Sequence, residues 1–232
     1  MEPRTIRWGI LAGGALLDRR IYSLTWLFQT LYTTQIPPSK TSSSELSPPA
    51  PRVVASLLQS THPQGWGNPT VVNKTATVVL TFPRDVTKGG NMFGIATTSF
   101  REANDIDGQG TSGPAVLIQG SKGELQVWPP IFRPTRTRLI LADSTVEDRS
   151  WPQPGPGRAG AWYNRYSVAG MGAEGEGYGM FWEAEEAAMA VVEGRRRVVC
   201  SGLNESVLIM QVMDEVRRQN GLVYPSGIEA AD

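Results

Sequence analysis

Few residues in this sequence have the types and the spacing that acid–base chemistry requires. Asp18 and Tyr22 stand four positions apart, which on a helix places them one turn apart on the same face. A carboxylate and a phenol in that arrangement can hold a polar ligand. A phenol with a pKa of about 10 donates its proton near neutral pH only beside a cation, so a structural role stays open beside the functional one.

The other reactive residue types exclude more chemistry than they support. Cys200 is the only cysteine and His62 the only histidine, which excludes an internal disulfide and a structural Cys/His zinc site. No spacing links these two residues as a catalytic pair, and we expect no metal site. Glu185 and Glu186 are adjacent, so on a helix they point about 100° apart and indicate a solvated face.

The composition argues against two classes of partner. The 232 residues carry no formal net charge, which gives no electrostatic basis for binding nucleic acid or an acidic membrane. The basic run 195–197 is short enough for a solvated turn after a helix. The apolar stretch 8–17 is too short to span a bilayer and runs into charged residues without a cleavage site. Together with the single cysteine, this predicts a cytoplasmic protein.

Helices near both ends of the chain must position the candidate residues. Residues 178–193 and 204–219 predict two helices, the second capped by Asn204 with Glu205 in its first turn. Residues 35–52, rich in proline and serine, and the glycine-rich residues 152–179 predict exposed loops. Residues 14–32 predict a helix with one apolar stripe, formed by Leu17, Ile21, Leu24, Phe28 and Leu31.

The pattern of side chains in the middle of the chain predicts several consecutive strands. Residues 75–82 alternate with a period of two, which places Ala76, Val78, Leu80 and Phe82 on one buried face. Because the strands follow one another without intervening helices, they must pair antiparallel, and the fold class is α+β. Further strands are expected near residues 53–58, 92–100, 115–119, 124–128 and 135–142, with a hairpin turn at 120–123.

Five segments, taken in order, resemble motifs of one family, the Gfo/Idh/MocA-like oxidoreductases. Within it, the closest resemblance is to NADP-dependent D-xylose dehydrogenases and dihydrodiol dehydrogenases. Together the matches cover about residues 12–228 and are specific by their order rather than singly. The segments are Gly13–Asp18 with Ile21–Tyr22, Thr77–Pro83, Ile118–Val127, Gly179–Ala187 and Met213–Gln219.

The resemblance implies a two-domain ancestor. In such proteins a Rossmann domain binds NAD(P), and a C-terminal α+β domain holds a sugar or diol. That second domain has a large, open, mostly antiparallel sheet with helices packed on one face, and it dimerises through the sheet. Carried over to this chain, the resemblance assigns Asp18 and Tyr22 to holding and protonating the substrate.

The chain departs from the family pattern in three places. Residues 1–11 resemble only a remnant of a first Rossmann strand, and no βαβ unit with its acidic residue follows the glycines. No Glu-Lys-Pro occurs, so the family's catalytic lysine is missing. Arg20 stands where the helix motif has glycine, and an arginine would crowd a position that glycine keeps open.

We therefore expect residues 12–228 to be a substrate-binding and dimerisation domain of NADP-dependent ancestry that binds no NADP itself. Such a chain would be inactive alone, and whether it is an enzyme stays open. One alternative is a non-catalytic dimerisation or regulatory module that associates through an exposed sheet face. Another is an incomplete product of a longer gene.

Overall fold

The chain divides into two compact units, residues 1–102 with 201–232 and residues 103–200. No helix in the described ranges is long and apolar enough to cross a membrane. The predicted segment 1–11 and most of the predicted loops lie outside those ranges. A computed structural model describes residues 14–36, 48–62, 70–103, 105–107, 110–151, 180–195 and 203–223.

The first unit begins with a helical segment, as the periodicity predicts. Helix α1 (Gly14–Asp18) and helix α2 (Arg20–Leu27) meet at Arg19, and a π-helical turn (Phe28–Tyr32) and a 3-10 turn (Thr33–Gln35) follow.

The buried stripe of this segment differs from the predicted one. Leu17, Ile21 and Leu31 are only partly buried. The π turn winds more loosely than an α-helix, which keeps Tyr32 on the same side as Phe28. Beyond the buried Gly14 and Ala15, the fully or almost fully buried residues recur every four positions: Leu16, Arg20, Leu24, Phe28 and Tyr32.

An antiparallel sheet of three strands lies against these helices. Strands β1 (Arg52–His62), β2 (Thr70–Phe82) and β3 (Met92–Ser99) pair in the order β1-β2-β3. The predicted alternation along residues 76–82 is confirmed, since the even-numbered side chains are buried and the odd-numbered ones are half-buried. The ring of Phe82 meets that of Phe28 edge-on at 5.5 Å between centroids.

Helix α4 (Leu203–Gln219) completes the core on the same face of this sheet. It begins one residue before the predicted cap, so Asn204 lies inside its first turn rather than at the cap position. At its far end, two side-chain amides bond to the backbone of β1, the edge strand. Gln219 bonds to Val53 O and Ala55 N, and Asn220 bonds to Leu57 N and Ala55 O.

The second unit contains an antiparallel meander and helix α3 (Met180–Val192). Its strands are β4 (Val116–Gly120), β5 (Gly123–Val127), β6 (Arg136–Leu141) and β7 (Val146–Ser150). The predicted hairpin at 120–123 is confirmed, whereas β7 was not predicted. The α+β fold class is confirmed, but the described strands form two sheets and not one large sheet. The described residues between β3 and β4 carry turns and bends and no strand.

Candidate functional site

The two predicted substrate residues lie on the exposed side of the α1–α2 segment. Asp18 is the last residue of α1 and is exposed, and Tyr22 in the first turns of α2 is 45% exposed. Both side chains therefore point away from the buried stripe. Burial of the two side chains in that stripe would have indicated a purely structural role. A carboxylate only accepts hydrogen bonds and a phenol can donate one, so together they can bind a hydroxylated ligand.

The two arginines between Asp18 and Tyr22 have opposite environments. Arg19 is exposed, and its guanidinium lies 5.0 Å from the centre of the Phe100 ring, within cation–π range. Arg20 is completely buried, and burial lowers its pKa from 12.5 to about 10. None of its three guanidinium nitrogens has a hydrogen-bond partner in the part of the chain that the structure describes. The arginine that replaces the motif's glycine is thus accommodated inside the helical layer.

The glycine at the start of α1 serves packing on the sheet. Gly14 has φ +78°, and a Cβ there would lie 2.5 Å from Asn73 Nδ2 and 2.8 Å from the Asn73 carbonyl oxygen. The backbone N–H of Leu16 donates to Asn73 Oδ1 at 2.7 Å. The absence of a side chain at Gly14 therefore allows the start of α1 to pack closely against the backbone of β2.

The described residues do not fit a dinucleotide. Phosphate-binding glycines of that kind open a helix between two parallel strands. All five strand pairs of the described sheets are antiparallel, and the first turn of α1 is already bonded to Asn73. No cradle for NADP is present among them, so no chemical step of that cofactor can be assigned to these residues.

A buried carboxylate, Glu205, was not recognised as a core residue from the sequence. It is 6% exposed and accepts hydrogen bonds from Gln29 Nε2 at 2.7 Å and from Thr33 Oγ1 at 2.5 Å. These bonds join the first turn of α4 to the helical segment at residues 28–35. A signal was available, since Gln29 and Thr33 are polar and four apart on a segment that packs against another helix.

The remaining sequence candidates are described only in part. Glu186 pairs with Arg195 at 3.0 Å, and Glu193 pairs with the same guanidinium at 2.5 Å. This fits the expected solvated turn after a helix. Cys200 and the side chain of His62 lie outside what the structure describes. Among the described residues no group of three or more metal-ligating side chains occurs.

Comparisons with known proteins find sequence similarity to dehydrogenases. D-xylose 1-dehydrogenase (NADP(+)) of Hypocrea jecorina is 37% identical over 216 residues, 93% of this chain and 46% of that protein. Trans-1,2-dihydrobenzene-1,2-diol dehydrogenase of Sus scrofa is 27% identical over 224 residues, 96% of this chain and 51% of that protein. No family model matches the chain.

A solved structure adds only a slight likeness. The crystal structure of an oxidoreductase from Sinorhizobium meliloti has a TM-score of 0.39 and 16% identity, and the match covers 73% of this chain and 46% of that one. This likeness is too weak to carry an argument about the fold. The chain spans about half the length of the curated relatives named above. The sequence similarities support a relationship between this chain and NAD(P)-dependent oxidoreductases.

Proposed function

We propose that the chain is the substrate-binding part of an NADP-dependent oxidoreductase of the Gfo/Idh/MocA type, acting on a D-xylose-like sugar or on a diol. The observation that carries the proposal is the 37% identity to D-xylose 1-dehydrogenase (NADP(+)) across 93% of this chain. The exposed pair Asp18 and Tyr22 supports it, because both side chains are accessible to a ligand on one side of the α1–α2 segment.

The proposed roles follow from the chemistry of the two side chains. The Asp18 carboxylate accepts hydrogen bonds from neighbouring hydroxyls of the substrate, which orients the carbon skeleton. The Tyr22 phenol donates to the substrate oxygen at the reacting carbon.

The hydride chemistry belongs to NADP, which must be held by residues other than the described ones. The described sheets lack a parallel βαβ unit, and the sequence has no Glu-Lys-Pro segment. We therefore propose that this polypeptide, assayed alone, binds substrate without oxidising it. Supplying an intact NADP-binding partner of the same class is then required for turnover.

Ligand binding by the purified 232-residue chain tests this proposal. Saturation-transfer NMR should show contact with D-xylose or with a trans-diol, and Asp18→Asn should weaken it about tenfold, as expected for a lost charge-assisted hydrogen bond. Asp143→Asn, an exposed carboxylate in the second unit, is the matched control and should bind like the unaltered chain. Absence of any contact with both ligands, or equal binding by the Asp18 variant, would contradict the proposal.

A non-catalytic role in association is a second candidate, which the outer face of the β1-β2-β3 sheet favours. The register aligns Val54, Val79 and Ile95 in one row across the three strands. Val54 is 68% exposed, and Ile95 and the nearby Phe93 are each 69% exposed. Exposed apolar rows of this kind mark interaction surfaces, and we propose a second copy of this chain as the partner.

Sedimentation velocity distinguishes this surface from an ordinary exposed one. Ile95→Lys places a charge in the centre of the row and should shift a dimer to monomer. Val86→Lys is the control, because Val86 is 86% exposed in the short 3-10 helix at residues 86–88, off the strands. A monomeric unaltered chain, or equal dissociation by both variants, would rule out this interface.

A further inference from the structure

Arg20 is an unsatisfied charge inside the first unit. Its side chain has no exposed surface, and its Nε and both terminal nitrogens lack hydrogen-bond partners among the described residues. Arginine keeps its charge at any physiological pH and carries five N–H donors. A buried guanidinium without an acceptor is strongly unfavourable, so an acceptor is required at this position.

The other buried charge of this unit does not supply that acceptor. The two oxygens of the Glu205 carboxylate are bonded to Gln29 and Thr33. Gln29 lies nine positions beyond Arg20, about 13 Å along a helix. Arg20 and Glu205 are therefore separate features of the core.

Contacts at both ends of helix α2 show what lies beneath Arg20. The side chains of Leu27 and Leu31 lie against the Cα of Gly94 on β3, and Arg19 lies over Phe100 just beyond the end of β3. The helix thus runs antiparallel to β3, so Arg20, next to Arg19, and Thr98, two residues before Phe100, lie at the same end of these two elements. The inward-facing residues of β3 between these contacts are small, which leaves room for a long side chain.

Thr98 carries the second unsatisfied polar atom of this region. It is 7% exposed, and its hydroxyl has no hydrogen-bond partner within the described ranges. A guanidinium and a hydroxyl can both donate hydrogen bonds. Planar guanidinium forks match the oxygens of carboxylates and phosphates, and hydroxyl donors commonly add to such sites.

We propose that Arg20 and Thr98 form a binding site for one oxyanion, a phosphate or a carboxylate group. The site lies on the inner side of the α1–α2 segment, whereas Asp18 and Tyr22 lie on its outer side. It is therefore distinct from the proposed sugar or diol site and does not depend on it.

Anion binding to the full chain tests the proposal without any enzymatic assay. Inorganic phosphate and acetate are titrated at constant ionic strength against chloride, with calorimetry and the midpoint of thermal unfolding as readouts. We expect one anion per chain and a midpoint that rises with its concentration. A rise with acetate as well as phosphate identifies a general carboxylate and phosphate site, whereas a rise with phosphate alone restricts the site to phosphoryl groups.

Matched variants separate a specific site from general charge. Arg20→Met keeps the apolar stem and should weaken binding about tenfold or more, which corresponds to the loss of about 1.4 kcal/mol. Arg19→Met removes the neighbouring exposed guanidinium and should change binding less than about twofold, since exposed charges contribute little. Thr98→Val preserves shape and provides a second variant should Arg20→Met fold poorly. Equal binding by Arg20→Met or Thr98→Val and the unaltered chain, or an equal loss in Arg19→Met, would overturn the proposal.

Discussion

Replacing Gly14 by alanine tests whether the start of α1 is packed on the sheet. Two effects add at this position. The backbone has φ +78°, a region in which a side chain costs about 1–2 kcal/mol. The new Cβ would also lie 2.5 Å from Asn73 Nδ2 and 2.8 Å from the Asn73 backbone oxygen, closer than real Cβ atoms approach.

The magnitude follows from comparing a crowded glycine with an open one. Gly90 has φ +75°, nearly the same φ as Gly14, but nothing lies within 4 Å of the position that a Cβ would occupy there. Gly90→Ala should therefore lower the free energy of unfolding by only the backbone term, about 1–2 kcal/mol. Gly14→Ala adds overpacking of about 1–3 kcal/mol, because the Asn73 carbonyl belongs to strand β2 and cannot move alone.

Urea unfolding followed by circular dichroism measures both variants against the unaltered chain. A third variant, Asn73→Ala, removes the acceptor for the Leu16 N–H and should itself cost about 1–3 kcal/mol. In the Asn73→Ala background, Gly14→Ala should lower the free energy of unfolding by less than it does in the unaltered chain, because part of the clash is with the Asn73 side chain. Equal destabilisation at Gly14 and Gly90 would refute the packing described here and leave the glycine free for another role.

Three further predictions concern charge and edge bonding. Arg20→Met should raise the free energy of unfolding in chloride by about 1–3 kcal/mol. The reason is that a pKa lowered to about 10 corresponds to an unfavourable burial energy of at most about 3 kcal/mol. A marked loss of stability in urea unfolding would instead reveal a paired guanidinium. Asn220→Ala removes two side-chain hydrogen bonds to the β1 backbone and should cost about 1–3 kcal/mol by the same assay, while unchanged stability would show that water replaces them. Hydrogen bonds from Arg218 and then Gln219 lower the pKa of Glu215 from 4.5 to about 2. This stabilisation is complete above pH 4.5 and is lost as the pH falls towards 2, so Arg218→Ala should flatten the stability profile in that window; an unchanged profile would argue against the pair.

The sequence predicts the elements whose two sides differ most in polarity. Residues 75–82 alternate apolar and polar side chains, and the buried positions follow that alternation. The hairpin at 120–123 is predicted because its turn residues separate two short apolar runs. Antiparallel pairing follows from the lack of helices between strands, and all described pairs are antiparallel.

Strand β7 could not be predicted, because its sequence Val146–Ser150 is mostly charged. Its pairing with β6 is instead supported by cross-strand contacts. Arg138 bonds to Asp148 through two nitrogens, at 2.8 and 2.9 Å, and the Asp148 pKa is lowered by that bond. Such pairs depend on the register between two strands, which a single strand's pattern does not contain.

The inward position of Arg20 was likewise hidden, because an arginine next to a second arginine predicts a surface residue. The four-residue spacing predicts one face for Asp18 and Tyr22, but it does not say whether that face is inward or outward. Residues two positions apart on a helix point about 200° apart, so within α2 an inward Arg20 requires an outward Tyr22. The exposure of Tyr22, on which the sugar or diol proposal relies, is thus a geometric consequence of the buried arginine.

The same geometry makes the two proposed sites separable by experiment. Arg20→Met acts on the inner side of the helix and Asp18→Asn on the outer side, so each should weaken one kind of binding and spare the other. Loss of both kinds in either variant would mean that the helical segment has moved as a unit. In that case the packing of Gly14 on Asn73, which fixes the segment on β2, is the contact to examine, and urea unfolding of the same variants would show it as lost stability.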